Sequence, residues 1–154
     1  KALSGQEIIR IIDQNRKKRA KRKGKSEDKD DVIFQDDKEA AFVRLEKALD
    51  KWVAEKKFRE YDKTRDDIAR ELRTSKEMLH LYFATKLGVD FRTWRTKLRI
   101  DDAKILLLEK KNMSINVVGE MAGFSDRANF YRQFVKFVGC SPKDWRETNG
   151  GKKA

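Results

Sequence analysis

Residues 114–146 read SINVVGEMAGFSDRANFYRQFVKFVGCSPKDWR, and this stretch decides the fold. A short apolar segment carries a small residue, Gly119, in its middle, and a turn of a few residues follows it. In the next segment Phe130 and Phe134 are four residues apart, which places both rings on one face of a helix. Two short helices that cross at roughly 90–120° need a small residue where they approach each other. The stretch therefore predicts a helix-turn-helix.

The same unit occurs once more, earlier in the chain. Five positions of one copy match five positions of the other at a constant spacing of 51 residues: Leu79, Phe83, Gly88, Trp94 and Arg95 match Phe130, Phe134, Gly139, Trp145 and Arg146. Upstream, Ala69 matches Gly119, with a turn one residue longer in the second copy. Chance does not readily produce five matches at one spacing, so the sequence contains two copies of one helical unit.

These residues resemble the AraC/XylS family of bacterial transcription regulators. The strongest match runs from Ser114 through the GFSD sequence at 123–126 to Trp145 and Arg146, although Gly119 stands where the family usually has alanine. The resemblance covers about residues 38–147. It implies an all-α fold in which two tandem helix-turn-helix units, each a homeodomain-like subdomain, are joined by a long linker helix. It also implies sequence-specific DNA binding and transcription regulation.

Charge and composition divide the chain into three parts. A basic run at 16–25 is followed by an acidic stretch, and such blocks of like charge seldom fold alone. We therefore predict that residues 1–35 form a flexible charged linker or juxtamembrane segment. The AraC-type DNA-binding domain is predicted over residues 36–147, and a disordered tail over residues 148–154.

Within this domain, capping residues and apolar periodicity mark the helices. We expect a first helix at about 38–59, with Asp36 or Asp37 as its cap. Further starts are expected at Thr64, Ser75, Asp90, Ser114, and Ser125 or Asp126. The remaining predicted elements are a first helix-turn-helix at about 64–88, a joining helix at about 91–110 and a second helix-turn-helix at about 114–139. No segment alternates with a period of two for long, so strands are not expected.

The composition limits the possible functions. The net charge of +12 suits a polyanionic partner, either nucleic acid or an anionic membrane surface. The chain has one cysteine, Cys140, and one histidine, His80, which excludes an intramolecular disulfide and a histidine-pair metal site. It also lacks a glycine-rich phosphate loop and a nucleophile–base constellation. We therefore expect no enzyme, no cofactor and no evident small-molecule ligand.

The second helix of each unit is expected to enter the major groove. Its outward residues are the predicted base readers: Lys76, Glu77, His80 and Leu81 in the first unit, and Arg127, Ala128, Tyr131 and Arg132 in the second. Periodicity also places Ala84 and Val135 outward. Glu77 could accept a hydrogen bond from cytosine, and either arginine could bind guanine O6 and N7 bidentately. Equally, Glu77 could complement the helix dipole, and His80 and the arginines could be solvated surface residues.

Phosphate contacts are expected near helix starts, from Ser75, Arg92, Lys97, Ser125, Asn129 and Lys136. The joining helix of ~20 residues is about 30 Å long. That length is compatible with two reading helices about 34 Å apart, in adjacent major grooves on one face of the duplex.

Several interpretations of the N-terminal segment stay open. The basic run at 16–25 could be a solvated linker, could add non-specific phosphate contacts, or could lie beside a membrane below an upstream transmembrane helix. The isoleucines at 8–12 keep the last of these open. The expected partners are double-stranded DNA, RNA polymerase and a membrane tether N-terminal to the chain, with a cytoplasmic location. The alternative function is a cytoplasmic output segment of a membrane-linked signalling protein, acting through protein–protein contact.

Overall fold

The computed structural model describes the backbone of residues 28–150 and side chains from Asp37 onward, and this part of the chain contains helices and no strands. The helices are α1 (Asp28–Ala54), α2 (Arg65–Glu71), α3 (Lys76–Tyr82), α4 (Phe91–Glu109), α5 (Ile115–Ala122), α6 (Arg127–Val138) and α7 (Pro142–Gly150). A 3-10 turn at Lys57–Arg59 follows α1, and a π-helical turn at Phe83–Leu87 follows α3. The predicted all-α class, with two helix-turn-helix units joined by a long helix, is confirmed.

Both ends of the described chain are more helical than the sequence indicated. Helix α1 begins at Asp28 rather than near residue 38, so Asp36 and Asp37 lie inside it and do not cap it. The linker prediction is therefore wrong for residues 28–35. The acidic residues that favoured a linker are also the residues that a helix tolerates best in its first turn, where they complement the dipole. At the other end, α7 continues to Gly150, so the prediction of a disordered tail is wrong for residues 148–150.

Helix α1 also ends earlier than predicted, at Ala54, because Lys56 adopts a left-handed conformation with φ of 55°. The basic run at 16–25 and the isoleucines at 8–12 lie outside the described residues.

The first compact unit comprises residues 28–52 and Thr64–Phe91. Helix α1 contributes a buried stripe at three- and four-residue steps: Phe42, Leu45, Leu49 and Trp52. Around this stripe the aromatic rings meet edge to face, with Phe42 and Tyr82 5.4 Å apart and Phe83 and Phe91 also 5.4 Å apart between centroids. The core of this unit therefore lies directly beneath α3.

The second compact unit comprises Val53–Lys63 and residues 92–150. Its core is formed by α4, α5 and α6, and its buried members are Ile100, Ala103, Leu106, Leu107, Val118, Ala122, Phe124, Phe130 and Phe134. Phe130 is central, with Phe124 and Phe134 at centroid distances of 5.1 and 5.9 Å. Both phenylalanines that the sequence placed on the inner face of α6 are buried.

The two helices of the second helix-turn-helix cross at very close range. A Cβ atom on Gly119 would lie 2.5 Å from Cδ2 and 2.8 Å from Cγ of Phe130, far inside the ~3.5–4.0 Å of a normal carbon contact. In the first unit the matching positions hold Ala69 and Leu79, both buried. The smaller Gly119 thus faces the larger Phe130, whereas the larger Ala69 is matched with the smaller Leu79.

We expect Gly119→Ala to lower the free energy of unfolding by about 1–2 kcal/mol. Overpacking costs ~1–3 kcal/mol, and the better helix propensity of alanine offsets up to ~1 kcal/mol of this. In the Phe130→Leu background, where the pair becomes the one found in the first unit, the loss should shrink by at least ~0.5 kcal/mol. Denaturant unfolding of the single and double variants measures this coupling.

The matched control combines Gly119→Ala with Val135→Ala, since Val135 lies on α6, like Phe130, but is exposed. Those two effects should add. Additivity between Gly119→Ala and Phe130→Leu would contradict the tight crossing.

Candidate nucleic-acid interface

Side-chain caps begin each helix of the two helix-turn-helix units. Thr64 and Asp67 form a capping box at α2, and Ser75 Oγ accepts a hydrogen bond of 3.1 Å from the Met78 amide at α3. In the second unit Ser114 caps α5. At α6 the cap is Asp126 rather than Ser125, because Asp126 Oδ1 accepts from the Ala128 amide at 2.9 Å. These bonds satisfy amides that a helix start leaves without a partner.

The turns between the helices depend on one left-handed residue each. This residue is Arg73 (φ 57°) in the first unit and Gly123 (φ 111°) in the second. At Gly123 a Cβ atom would come within 2.9 Å of the Arg59 backbone, so the second turn also requires glycine for space. The amide that follows closes the turn in each case, from Thr74 to Ala69 O and from Phe124 to Gly119 O.

In the first unit, α3 presents most of the predicted base-reading set to solvent. Lys76, Glu77 and His80 are exposed and Leu81 is half-buried, whereas Leu79 is fully buried on the opposite face. The prediction that Ala84 points outward is wrong, since only 1% of it is exposed. Ala84 belongs to the π-helical turn, and the 3.6-residue period used to place it does not hold there.

In the second unit, α6 presents Arg127, Ala128 and Arg132 as exposed residues. Tyr131 is only half-buried: it packs against the core, with its ring edge-on to Phe130 at 6.0 Å. The ring of Tyr131 therefore contributes to the core packing of the second unit as well as to its surface. The sequence of α6 contains basic residues and no acidic ones, whereas α3 carries Glu77 beside its basic residues.

The predicted phosphate contacts differ in exposure and in the hydrogen bonds that their side chains already form. Five of them are exposed: Ser75, Arg92, Lys97, Ser125 and Lys136. Ser75 Oγ already accepts the capping bond of α3. Asn129 is half-buried, and its Oδ1 accepts hydrogen bonds from Arg132 Nη2 and Gln133 Nε2, each at 3.3 Å. The side-chain oxygen of Asn129 is thus engaged within α6.

Two arginines that match at the 51-residue spacing, Arg95 and Arg146, bind the chain just before each helix-turn-helix, and the repeat alone indicated no role for them. Arg95 Nη1 donates to Lys63 O at 3.0 Å, and Arg146 Nη1 donates to Met113 O at 2.8 Å. Lys63 and Met113 each directly precede the residue that caps the first helix of a helix-turn-helix, Thr64 or Ser114. The two arginines therefore fix the same point of the repeated unit.

Each arginine also binds further carbonyl groups. Arg146 donates from Nε to Leu107 O at 3.0 Å and from Nη2 to Lys110 O at 3.1 Å, at the end of α4. Arg95 donates from Nη2 to Glu60 O at 2.6 Å. Burial lowers the pKa of Arg95, an effect that the charges of Glu60 and Asp62 oppose. A planar guanidinium with several fixed donors suits such a cluster of carbonyls.

Within the second compact unit, charged side chains bind the segment Val53–Lys63 to α4. Arg59 binds the buried Asp102 bidentately, with Nε–Oδ2 and Nη2–Oδ1 distances of 2.7 and 2.9 Å. Arg99 donates to Phe58 O and Glu60 O at 2.6 and 3.2 Å. Burial, with a smaller contribution from the charge of Arg95, lowers the pKa of Arg99 to about 10, so this guanidinium stays charged at neutral pH.

We expect Arg146→Lys to lower the free energy of unfolding by ~2–4 kcal/mol. The ammonium of lysine cannot reach all three carbonyl groups, and losing a hydrogen bond to a charged group costs ~1.5–3 kcal/mol. Urea unfolding measures the loss. The matched control is Arg127→Lys on the exposed face of α6, for which a change within ~0.5 kcal/mol is expected. Equal effects of the two substitutions would show that the carbonyl bonds of Arg146 contribute nothing.

Two further findings concern residues 28–150 alone. None of the helices in this part is both long and apolar enough to cross a membrane. Its His, Cys, Asp and Glu residues form no group of three that could hold a metal ion.

Paired helix-turn-helix units, each with an exposed second helix over a buried aromatic core, define a DNA-binding protein of the transcription-regulator class. A family model described as "Helix-turn-helix domain" matches residues 68–148, just over half of the chain. The Arabinose operon regulatory protein of Escherichia coli (strain K12) is 38% identical over 79 residues, which are 51% of this chain and 27% of that protein.

Two other similarities agree with this. The Raffinose operon transcriptional regulatory protein RafR of Pediococcus pentosaceus is 31% identical over 84 residues, 54% of this chain and 30% of that protein. The C-terminal domain of AraT, a response regulator from Geobacillus stearothermophilus, matches with a TM-score of 0.63 at 26% identity. That match covers 71% of this chain and 88% of the other.

The chain belongs to the AraC/XylS family, of which it contains the DNA-binding domain. This family comprises DNA-binding transcription regulators and is not an enzyme family. The chain spans less than a third of the two curated relatives described above.

Proposed function

We propose that this chain reads two adjacent stretches of major groove in its target DNA, one with α3 and one with α6. The observation that carries the proposal is the polarity of α6. Phe130 and Phe134 anchor its inner face in the core, while Arg127 and Arg132 project from its outer face. In α3, Leu79 matches Phe130 and is buried, and Lys76 matches Arg127 and is exposed.

The two helices differ in the chemistry that they offer to base edges. Arginine can bind guanine O6 and N7 with two parallel hydrogen bonds, so α6 should specify guanine. Helix α3 offers the carboxylate of Glu77, which can accept from cytosine N4, and the half-buried side chain of Leu81, which can contact a thymine methyl. We infer that α6 supplies most of the base-specific hydrogen bonds and that α3 adds a mixed polar and apolar contribution.

Phosphate contacts should position these helices without carrying sequence information. The exposed residues Arg92, Lys97 and Lys136, together with the exposed hydroxyl of Ser125, are the proposed contacts. The net charge of +12 supports a large electrostatic share of the affinity.

The partners of the whole regulator are part of the same proposal. The relatives described above are named as operon regulators, which supports action at promoters, with RNA polymerase as a partner and the cytoplasm as the location. A membrane tether N-terminal to Lys1 stays a prediction from residues outside the described part of the chain.

Substitution of the two α6 arginines separates base reading from general affinity. We expect Arg127→Ala and Arg132→Ala each to lower the preference for one particular base pair by ~1–3 kcal/mol, because each removes a bidentate contact. Selection of bound duplexes from a random pool first gives the preferred site, and titration of single-base variants then gives the preference. Arg44→Ala, an exposed arginine on α1, serves as the control and should leave every preference unchanged.

Three outcomes of this experiment decide the proposal. Equal weakening on all duplexes would mean that these arginines bind phosphate only. A selected site with one specified segment instead of two would contradict paired reading. Arg132→Glu should abolish specific DNA binding, and its retention would show that the outer face of α6 does not read the DNA.

Salt dependence tests the phosphate contacts. We expect the affinity for duplex DNA to fall steeply between about 50 and 200 mM salt, because bound cations are released when phosphates are neutralised. Arg92→Ala should reduce the slope of log K against log salt by ~0.9 and weaken binding to all sequences alike. A flat salt dependence of the unsubstituted protein would count against DNA as the partner of this basic chain.

A further inference from the structure

The hydrogen bonds of Asn129 connect it to a proposed base reader. Asn129 lies on α6 between the two exposed arginines, and its Oδ1 accepts from Arg132 Nη2, one turn further along the helix, at 3.3 Å. The same oxygen accepts from Gln133 Nε2, also at 3.3 Å. Asn129 and Gln133 are half-buried, while Arg132 is exposed.

These two bonds determine how the amide group of Asn129 is turned. Its oxygen faces Arg132, and the half-buried Gln133 holds that oxygen from the adjacent position of the helix. The distance to Arg132 exceeds the ~2.7–2.9 Å of a strong charge-assisted bond, so the contact orients the guanidinium without saturating it. Among the residues with described side chains, one N–H group of Arg132 is bonded, and the other four are able to bind a base.

The first unit contains no counterpart of this arrangement. At the 51-residue spacing, Met78 and Leu81 of α3 match Asn129 and Arg132. A thioether and an isobutyl group cannot form the bond. The contact is therefore a property of α6 rather than of the repeated fold.

We propose that Asn129 is a positioning residue that orients Arg132 toward the base it reads. Arginine is long and flexible, and fixing it on binding costs conformational entropy. A side chain that is already held near its bound direction loses less. The inference rests on the proposed function of α6, and it replaces the sequence-based assignment of Asn129 as a phosphate contact.

The test measures base preference at the base pair that Arg132→Ala identifies as belonging to Arg132. Asn129→Ala should lower the preference there by about 2- to 10-fold, the range expected when one flexible side chain loses its preorganisation. The preference at the base pair of Arg127 and the salt slope should not change. In the Arg132→Ala background, Asn129→Ala should have no further effect on base preference.

Asn129→Asp provides the conservative rescue. The carboxylate keeps an acceptor in place for Arg132, so the preference at that base pair should be retained, even though the added negative charge weakens binding to all duplexes. Urea unfolding of each variant shows whether α6 itself is altered. If Asn129→Ala and Asn129→Asp destabilise the protein equally but differ in base preference, the positioning role stands apart from any structural one.

The contrary outcomes are distinct. Additive effects of Asn129→Ala and Arg132→Ala on base preference would show that the two residues act independently, and the positioning role would be wrong. Uniform weakening by Asn129→Ala, with a smaller salt slope, would return Asn129 to the phosphate contacts. If Arg132→Ala itself changes no base preference, the proposed reading by α6 is wrong, and the positioning role is wrong with it.

Discussion

Helices of seven to twelve residues are at best marginally stable alone in water, so α3 and α6 depend on the packing beneath them. In the second unit this packing is the contact between Gly119 and the ring of Phe130, where no space is left for a methyl group. The direction in which α6 points, and hence the set of side chains that it exposes, follows from how closely α5 and α6 approach. Ala69 and Leu79 occupy the matching positions of the first unit, with a different division of the same volume.

Two arginines that bind backbone carbonyl groups hold the start of each helix-turn-helix in position. Arg95 and Arg146 each bind the carbonyl group immediately before a helix-turn-helix begins, and the capping residue follows at once. The carbonyl bond and the side-chain cap therefore hold two consecutive residues at the start of each helix-turn-helix. The position of each helix-turn-helix therefore depends on an arginine that lies outside it and is more than 30 residues from the carbonyl group that it binds.

The exposed faces of α3 and α6 are not equivalent, although the helix-turn-helix scaffolds that carry them are. Helix α6 is a regular helix whose charged residues are all basic, and Asn129 holds one of them, Arg132, by a hydrogen bond. Helix α3 gives way after seven residues to a π-helical turn, which buries Ala84 and shortens the exposed face. The two copies share apolar residues at their inward positions, because these residues form the core. Their outward positions differ, because the core does not constrain them.

The amino-acid sequence by itself determined the all-α class, the repeat, the caps at Thr64, Ser75 and Ser114, and the inward phase of Phe130 and Phe134. Those features follow from local periodicity and from hydrogen bonds that span two or three residues. Both kinds of signal are visible in the sequence itself. Only the tertiary structure decided the carbonyl partners of Arg146, the ion pair of Arg59 with Asp102 and the burial of Ala84. Each of these depends on groups that folding brings together from distant positions, or on a departure from regular helix geometry, and neither leaves a periodic signal in the sequence.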